Sequence, residues 1–304
     1  MPLTRKFTLA DLRAARRRER PPVPMLTCYD FTSARLMHEA GVPAILVGDS
    51  AANTMLGYQT TLPITLDELI SMGAAVRRGA PQALVAVDLP FGSYHQGVAQ
   101  GVENVCRVMQ LCGCDCVKLE TAASQLPLVK TLADAGVPVI AHLGLRPQSV
   151  HLLGGYRSQG RTALEAQSLV SLALEMERAG AAALLLEAVP PQVARAVIEA
   201  TGLPVIGCGA GDACHGHVVV MHDLLGLTPK PPRFVPVMAD LANAMKVAFA
   251  AYVEQVSQRQ YPSASHAYEM PAEELKSLLQ HSPSQRELSQ LMPNNGINTK
   301  KESL

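Results

Sequence analysis

Tryptophan is absent from this chain of 304 residues, and phenylalanine and tyrosine are few, at five and seven. A protein that binds nucleic acid by stacking bases on aromatic rings needs more of them. Excess charge of either sign is also missing: 26 Lys and Arg balance 26 Asp and Glu. That balance gives no electrostatic footprint for a polyanion or an anionic membrane surface, so neither nucleic acid nor membrane is expected as a partner. No apolar run approaches the roughly 20 residues that a membrane span requires. A long internal linker and a solenoid repeat are lacking as well. Cysteine is sparse, seven in all, and no Cys/His set has zinc spacing. The trio Cys112, Cys114 and Cys116 in "LCGCDCVKLE" reads as small apolar filling along a strand. A reducing, cytoplasmic setting follows from unpaired cysteines.

What is present is a core. Hydrophobic residues make up 48% and charged residues 17%, the balance of a globular enzyme-sized chain. The Arg-rich start "LRAARRRERPP" has some look of a transit peptide. Asp11 and Glu19 interrupt its charge, however, and Thr8-x-x-Asp11 reads as a helix start. A solvated first helix is expected there.

Eight short apolar runs bounded by Gly or Pro read as strands: 24–28, 44–48, 83–87, 116–119, 138–142, 183–187, 204–207 and 217–221. Each is apolar almost throughout, as strands covered on both faces must be. Helical patterns lie between them. One opens near Asp30 and ends at Gly41, and another opens with the capping box Thr65-x-x-Glu68 and closes at Arg77, Arg78 and Gly79. Eight strands alternating with helices over roughly 230 residues predict a (β/α)8 TIM barrel rather than a doubly wound sheet, which would carry a glycine fingerprint after its first strand. Residues 1–265 are expected to form one catalytic barrel with a C-terminal helical cap. Residues 266–304 are expected to be a polar, largely disordered extension.

The strands share an odd feature: they end on polar residues. "AILVGDS" reaches Asp49, "LVAVDLP" Asp88, "CVKLE" Glu120, "VIAHLGL" His142 and "LLLEAVP" Glu187. In a barrel these ends converge on one face, where the site is built. Four carboxylates gathered there repel one another unless a cation sits among them. Lys118, two before Glu120, points to the same side and supplies one positive charge. A divalent cation would supply more, and a few rigid oxygen ligands suit Mg²⁺. Such a site can chelate a 2-oxo acid and stabilise its enolate while a spare carboxylate takes the α-proton.

The stretches "MLTCYDFTSARLMHEAGVPAILVGDS", "LGYQTTLPITLDEL", "AVRRGAPQALVAVDLPFGSY", "DCVKLE", "AHLGLRPQSVHLLGGYRSQGR", "LLLEAVP" and "IGCGAG…VMHDLLGL" closely resemble the ketopantoate hydroxymethyltransferase family, in order, from about residue 4 to 262. The resemblance implies a Mg²⁺-dependent barrel that uses 5,10-methylenetetrahydrofolate to carry 3-methyl-2-oxobutanoate to 2-dehydropantoate. It also implies a homo-oligomer, commonly a decamer. Carried onto matching positions, it makes Asp49 and Asp88 metal ligands, with Glu120 near the metal through water. Ser50 and Lys118 would bind the 2-oxo acid together with Asp49 and Asp88. His142 would lie beside the substrate, and Glu187 would be the proton acceptor.

The sequence departs from the family at "AANTM", Ala51 to Met55, and at His215 and His217, where Asp and Gln are usual. His215, His217 and His222 with Asp223 look like a metal cluster. Their spacing along one strand favours surface or supporting roles instead. Tyr156 and Arg157 in "GGYRSQGR" are candidates for a loop over the site. Two other readings stay open: a different enolate-forming Mg²⁺ barrel, such as a carbon–carbon lyase, and a catalytically silent scaffold homologue.

Overall fold

A computed structural model describes residues 3–281. Eight parallel strands close into a barrel in chain order: β1 (Val23–Thr27), β2 (Ala44–Val47), β3 (Leu84–Asp88), β4 (Cys116–Glu120), β5 (Val139–Gly144), β6 (Ala183–Glu187), β7 (Val205–Cys208) and β8 (Gly216–Val219). β8 closes the circle by pairing with β1, Val23 opposite Gly216. The helices are α1 (Leu9–Arg16), α2 (Phe31–Glu39), α3 (Ala51–Thr54), α4 (Leu66–Gly79), α5 (Val98–Cys112), α6 (Leu126–Asp134), α7 (Val150–Leu153), α8 (Ala163–Arg178), α9 (Pro191–Ala200), α10 (Met221–Leu224), α11 (Leu241–Ser257) and α12 (Ala272–His281). The TIM barrel read from the sequence is the fold observed. No helix among the described residues is long and apolar enough to cross a membrane.

Alternation along each strand sorts the side chains into two cores. Ile45, Val47, Val85, Val87, Val117, Leu119, Leu184 and Leu186 face outward and are buried under the helices. Met25, Leu46, Leu84, Ala86, Cys116, Ile140, Leu185, Ile206 and Val218 face inward and fill the barrel. Phe7, Leu12 and Ala15 belong to the same inner cluster, so the segment around α1 stoppers the end at which the strands begin. α1 is anchored by Asp11, which accepts from the Thr8 N–H and hydroxyl at 3.0 Å each and pairs with Arg5 and Arg20. With that end plugged by hydrocarbon, polar chemistry is left to the end where the strands finish.

The chain forms two compact units, the barrel up to Ala242 and a second unit from Asn243. α12 lies in the segment read as a disordered extension, so a helix stands at 272–281 where none was expected. The expectation for 282–304 lies outside the described residues. Two further differences are local. The "AANTM" segment coils into α3, because Ala51 and Ala52 are small enough to bury completely against the barrel. The three clustered cysteines do not share a strand: Cys112 ends α5, Cys114 lies in the turn after it and Cys116 opens β4. All three are buried thiols, so the filling role holds.

Candidate active site

The inward positions of the barrel turn polar at the top of the strands. From Cys116 the two-residue period leads to Lys118 and then Glu120; from Leu84 and Ala86 it leads to Asp88; from Ile140 to His142; from Leu185 to Glu187. Asp49, Asp88, Lys118, Glu120 and His142 are all buried. Glu187, at the end of β6, keeps its side chain 20% exposed, the most open of the acidic set. The strand-end residues read from the sequence are therefore brought together at one face.

Their contacts are specific. Lys118 Nζ pairs with Asp88 Oδ1 at 2.6 Å. It also lies 3.2 Å from His142 Nδ1. The Asp49 N–H donates to Asp88 Oδ2 at 3.1 Å. Gly48 makes that crossing possible, since a Cβ there would sit 2.9 Å from Ser50 Oγ and 3.5 Å from Asp88 Oδ2. His142 Nε2 is 3.4 Å from Glu187 Oε2. Ser50 shares a hydrogen bond of 2.9 Å with the Tyr29 hydroxyl, which donates to Thr27 Oγ1 at 2.8 Å.

Burial sets the protonation states. It pushes Glu187 up to about 7, with Lys118 opposing. It pushes Glu120 up to about 9, helped by Asp49 and opposed by Lys118. Asp88 also moves up, from burial and then the Asp49 charge, against the pull of Lys118. Burial works against the Lys118 ammonium, but Asp88, Asp49 and Glu120 outweigh it and raise it further. His142 is driven well down by burial and by Lys118, so its ring is neutral. A ring that accepts from an ammonium at Nδ1 carries its proton on Nε2.

The donor set fits Mg²⁺. Four carboxyl groups surround one ammonium, and three of them are held above their ordinary range, chiefly by burial that the single ammonium does not offset. Among the described residues no three of His, Cys, Asp and Glu are already arranged as a metal cage. Mg²⁺ does not need one, since one or two carboxylates with water and substrate oxygens complete its shell. Asp49 and Asp88, tied together by the Asp49 N–H, could supply that pair.

The histidines of the second cluster part company. His215 is buried just before β8, at the opposite end of the barrel from the site. There its Nδ1 accepts from the Val205 N–H at 3.0 Å. This corrects the expectation of a surface or supporting role near the chemistry. His217 is half-buried on β8, and His222 packs its ring 5.6 Å from that of Tyr29. Tyr156, half exposed, has its phenol raised by burial and by the charges of Asp49, Glu187 and Glu120.

Two participants were not singled out from the sequence. Gln148 and Tyr94 are buried among the carboxylates. Gln148 Nε2 donates to Asp49 Oδ2 at 2.9 Å and to Leu89 O at 3.0 Å. The Tyr94 hydroxyl donates to Gln148 Oε1 at 2.8 Å. Neither ionises near neutrality, so a search for strand-end charges passes over both. The available pointer was their place in two of the stretches that carry the family resemblance, "AVRRGAPQALVAVDLPFGSY" and "AHLGLRPQSVHLLGGYRSQGR".

Comparison with known proteins adds an independent line. A family model described as ketopantoate hydroxymethyltransferase matches residues 6–264. The 3-methyl-2-oxobutanoate hydroxymethyltransferase of Geobacillus sp. (strain WCH70) is 44% identical over 259 residues, 85% of this chain and 93% of that protein. The protein of the same name from Frankia alni (strain DSM 45986 / CECT 9034 / ACN14a) is 46% identical over 269 residues, 88% of each chain. Among solved structures, the phosphoenolpyruvate phosphomutase of Streptomyces platensis subsp. rosaceus superposes with a TM-score of 0.57 at 16% identity, covering 93% of this chain and 99% of that one. A 2,3-dimethylmalate lyase gives 0.56 at 17% identity, covering 93% and 98%. The structural likenesses concern the fold.

Proposed function

The chain belongs to the ketopantoate hydroxymethyltransferase family, and from that premise we propose that it takes 3-methyl-2-oxobutanoate and 5,10-methylenetetrahydrofolate to 2-dehydropantoate and tetrahydrofolate, with Mg²⁺ as cofactor. The observation that carries this reading is Glu187, a carboxylate with its pKa near 7, facing a neutral histidine 3.4 Å away at the open end of the barrel. A general base works best when its pKa lies near the working pH.

In this reading Asp49 and Asp88 would hold the cation, with Glu120 near it through water. When bound, the cation would polarise the keto oxygen and so lower the cost of charge developing there. Lys118 and Ser50 hold the carboxylate and keto oxygens of the 2-oxo acid. Glu187 takes the proton from C3 as the C3–H electron pair moves into the C2–C3 bond. His142, with its proton on Nε2, steadies the Glu187 carboxylate while it is ionised. A carbon–carbon bond forms between C3 and the one-carbon unit of the folate while both carbon–nitrogen bonds of that unit break; water supplies the hydroxyl of the product, and the two folate nitrogens take up one proton from water and the one that Glu187 removed. The setting is the cytoplasm and the assembly a homo-oligomer, a decamer by family resemblance.

The test is exchange of the C3 proton of 3-methyl-2-oxobutanoate in D₂O, followed by NMR with and without Mg²⁺, for the wild-type and Glu187→Gln proteins. Metal-dependent exchange that Glu187→Gln abolishes, together with product formation from methylenetetrahydrofolate, is the expected result. Near-normal exchange in Glu187→Gln rejects the base assignment. No exchange by a folded wild-type protein favours the silent homologue.

A further inference from the structure

Gln148 is neutral and carries no chemistry of its own, yet it is the most connected side chain of the site. It sits in the single turn Pro147–Ser149 between β5 and α7 and is 5% exposed. The turn is aimed by Gly144. That residue has φ +92°, and a Cβ on it would fall 2.4 Å from Glu187 O, while the next N–H, Leu145, donates to that same oxygen at 2.9 Å. The loop leaving β5 is thus clamped to β6 before it reaches Gln148.

Every polar group of Gln148 that points into the site is used. Its amide nitrogen has two hydrogens and meets two acceptors, Asp49 Oδ2 and Leu89 O. Its amide oxygen meets one donor, the Tyr94 hydroxyl. Those three partners permit one orientation of the carboxamide and no flip. Its backbone N–H donates to both oxygens of Glu120, at 3.0 and 3.1 Å. One residue thereby orders two carboxylates that come from different strands and lie 99 and 28 positions away in sequence.

The consequence concerns Asp49. With one acceptor site of Oδ2 taken by the Gln148 amide, Oδ1 is the freer of the two oxygens to offer a cation. A carboxylate that offers one oxygen suits Mg²⁺, which demands a compact octahedron. It suits Ca²⁺ less well, because Ca²⁺ readily takes carboxylates through both oxygens in a larger, looser shell. We propose that Gln148 is a positioning residue for the cation: it holds Asp49 to one-oxygen ligation, steadies Glu120 with its own peptide, and so sets the preference of the site for Mg²⁺ over Ca²⁺. The inference rests on the cation reading given above.

The test reads metal binding and not turnover. Mn²⁺ binding is followed by electron paramagnetic resonance, with displacement by Mg²⁺ and by Ca²⁺, in the wild type, Gln148→Met, Tyr94→Phe and Asp49→Asn. The Mn²⁺ signal that Asp49→Asn removes defines the site. In the wild type Mg²⁺ displaces it at lower concentration than Ca²⁺. Gln148→Met keeps the bulk of the side chain without its donors, and is expected to lower the ratio of Mg²⁺ to Ca²⁺ affinity about tenfold, a usual effect of losing a partner that orients a ligand. A general loosening of the loop would weaken both ions alike. If Gln148→Met does not fold, Tyr94→Phe decides. It keeps Gln148 but frees the amide to turn, and is expected to shift the ratio about threefold in the same direction. An unchanged ratio in a folded variant overturns the role of Gln148 while the cation reading stands. A wild-type protein with no Mn²⁺ signal sensitive to Asp49→Asn overturns both.

Discussion

Lys118 Nζ stands 3.2 Å from His142 Nδ1. An ammonium only donates, so this single distance determines the tautomer of a buried ring and leaves the proton on Nε2, 3.4 Å from Glu187 Oε2. Replacing His142 by Phe should therefore leave cation binding in place, lower kcat about 10- to 100-fold through a misplaced base, and change KM little. Nitrogen-15 NMR of the wild type should show His142 neutral and protonated at Nε2 at pH 7. A charged ring or the opposite tautomer contradicts the assignment.

Lys118 is the ammonium paired with the buried Asp88. Lys118→Met should destabilise the fold by about 3–5 kcal/mol, the usual result of leaving one member of a buried pair alone. Lys118→Met with Asp88→Asn should regain much of that stability and none of the activity. Urea denaturation together with turnover separates the two effects.

Activity should rise with pH through about 7, because burial raises Glu187 to that value and the base works only when ionised. The profile of kcat/KM between pH 5.5 and 9 should show this rising limb. A flat profile over that range rules out Glu187 as the base.

Acidification should take stability away through His215, opposite in sign to the buried carboxyls Glu120, Asp88 and Glu187, whose raised values let protonation favour the folded state. Burial, with Arg16 and Arg18 nearby, lowers this ring to about 4, below its unfolded value near 6.5. Between those values the unfolded chain binds more protons than the folded one, so stability is lost as pH drops through that window. Protonation also ends the bond that Nδ1 accepts from Val205. Going from pH 7 to 5 should cost on the order of 1–2 kcal/mol through this residue. His215→Gln, compared by urea denaturation at both pH values, should flatten that part of the slope.

Gly144→Ala should disrupt both β5 and the Gln148 loop, since the added carbon meets Glu187 O at 2.4 Å from a backbone with φ +92°. A loss of more than about 2 kcal/mol is expected from such a clash. A thermal melt of the variant unchanged from the wild type would show that the backbone can yield there.

The sequence alone determined the parts of this protein that depend on local period. Runs such as Ala44–Val47 and Ala183–Glu187 must be covered on both faces, and eight of them alternating with helices leave one economical closure. The two-residue period also placed Asp88, Lys118, Glu120, His142 and Glu187 on the inner wall, because the side of a strand on which a residue falls is set by its neighbours in the chain. Tertiary structure alone decided what those groups do to one another. The His142 tautomer depends on Lys118, 24 residues away. The raised Glu187 depends on burial inside a wall built by other strands. His215 shares a strand region with the site in sequence, but the direction of β8 sends it to the far end of the barrel. Gln148 has no charge and no periodic position to mark it. Its meaning arises only where folding brings it against Asp49, Glu120 and Tyr94, since a hydrogen bond is a property of two groups in space and neither sequence position carries it alone.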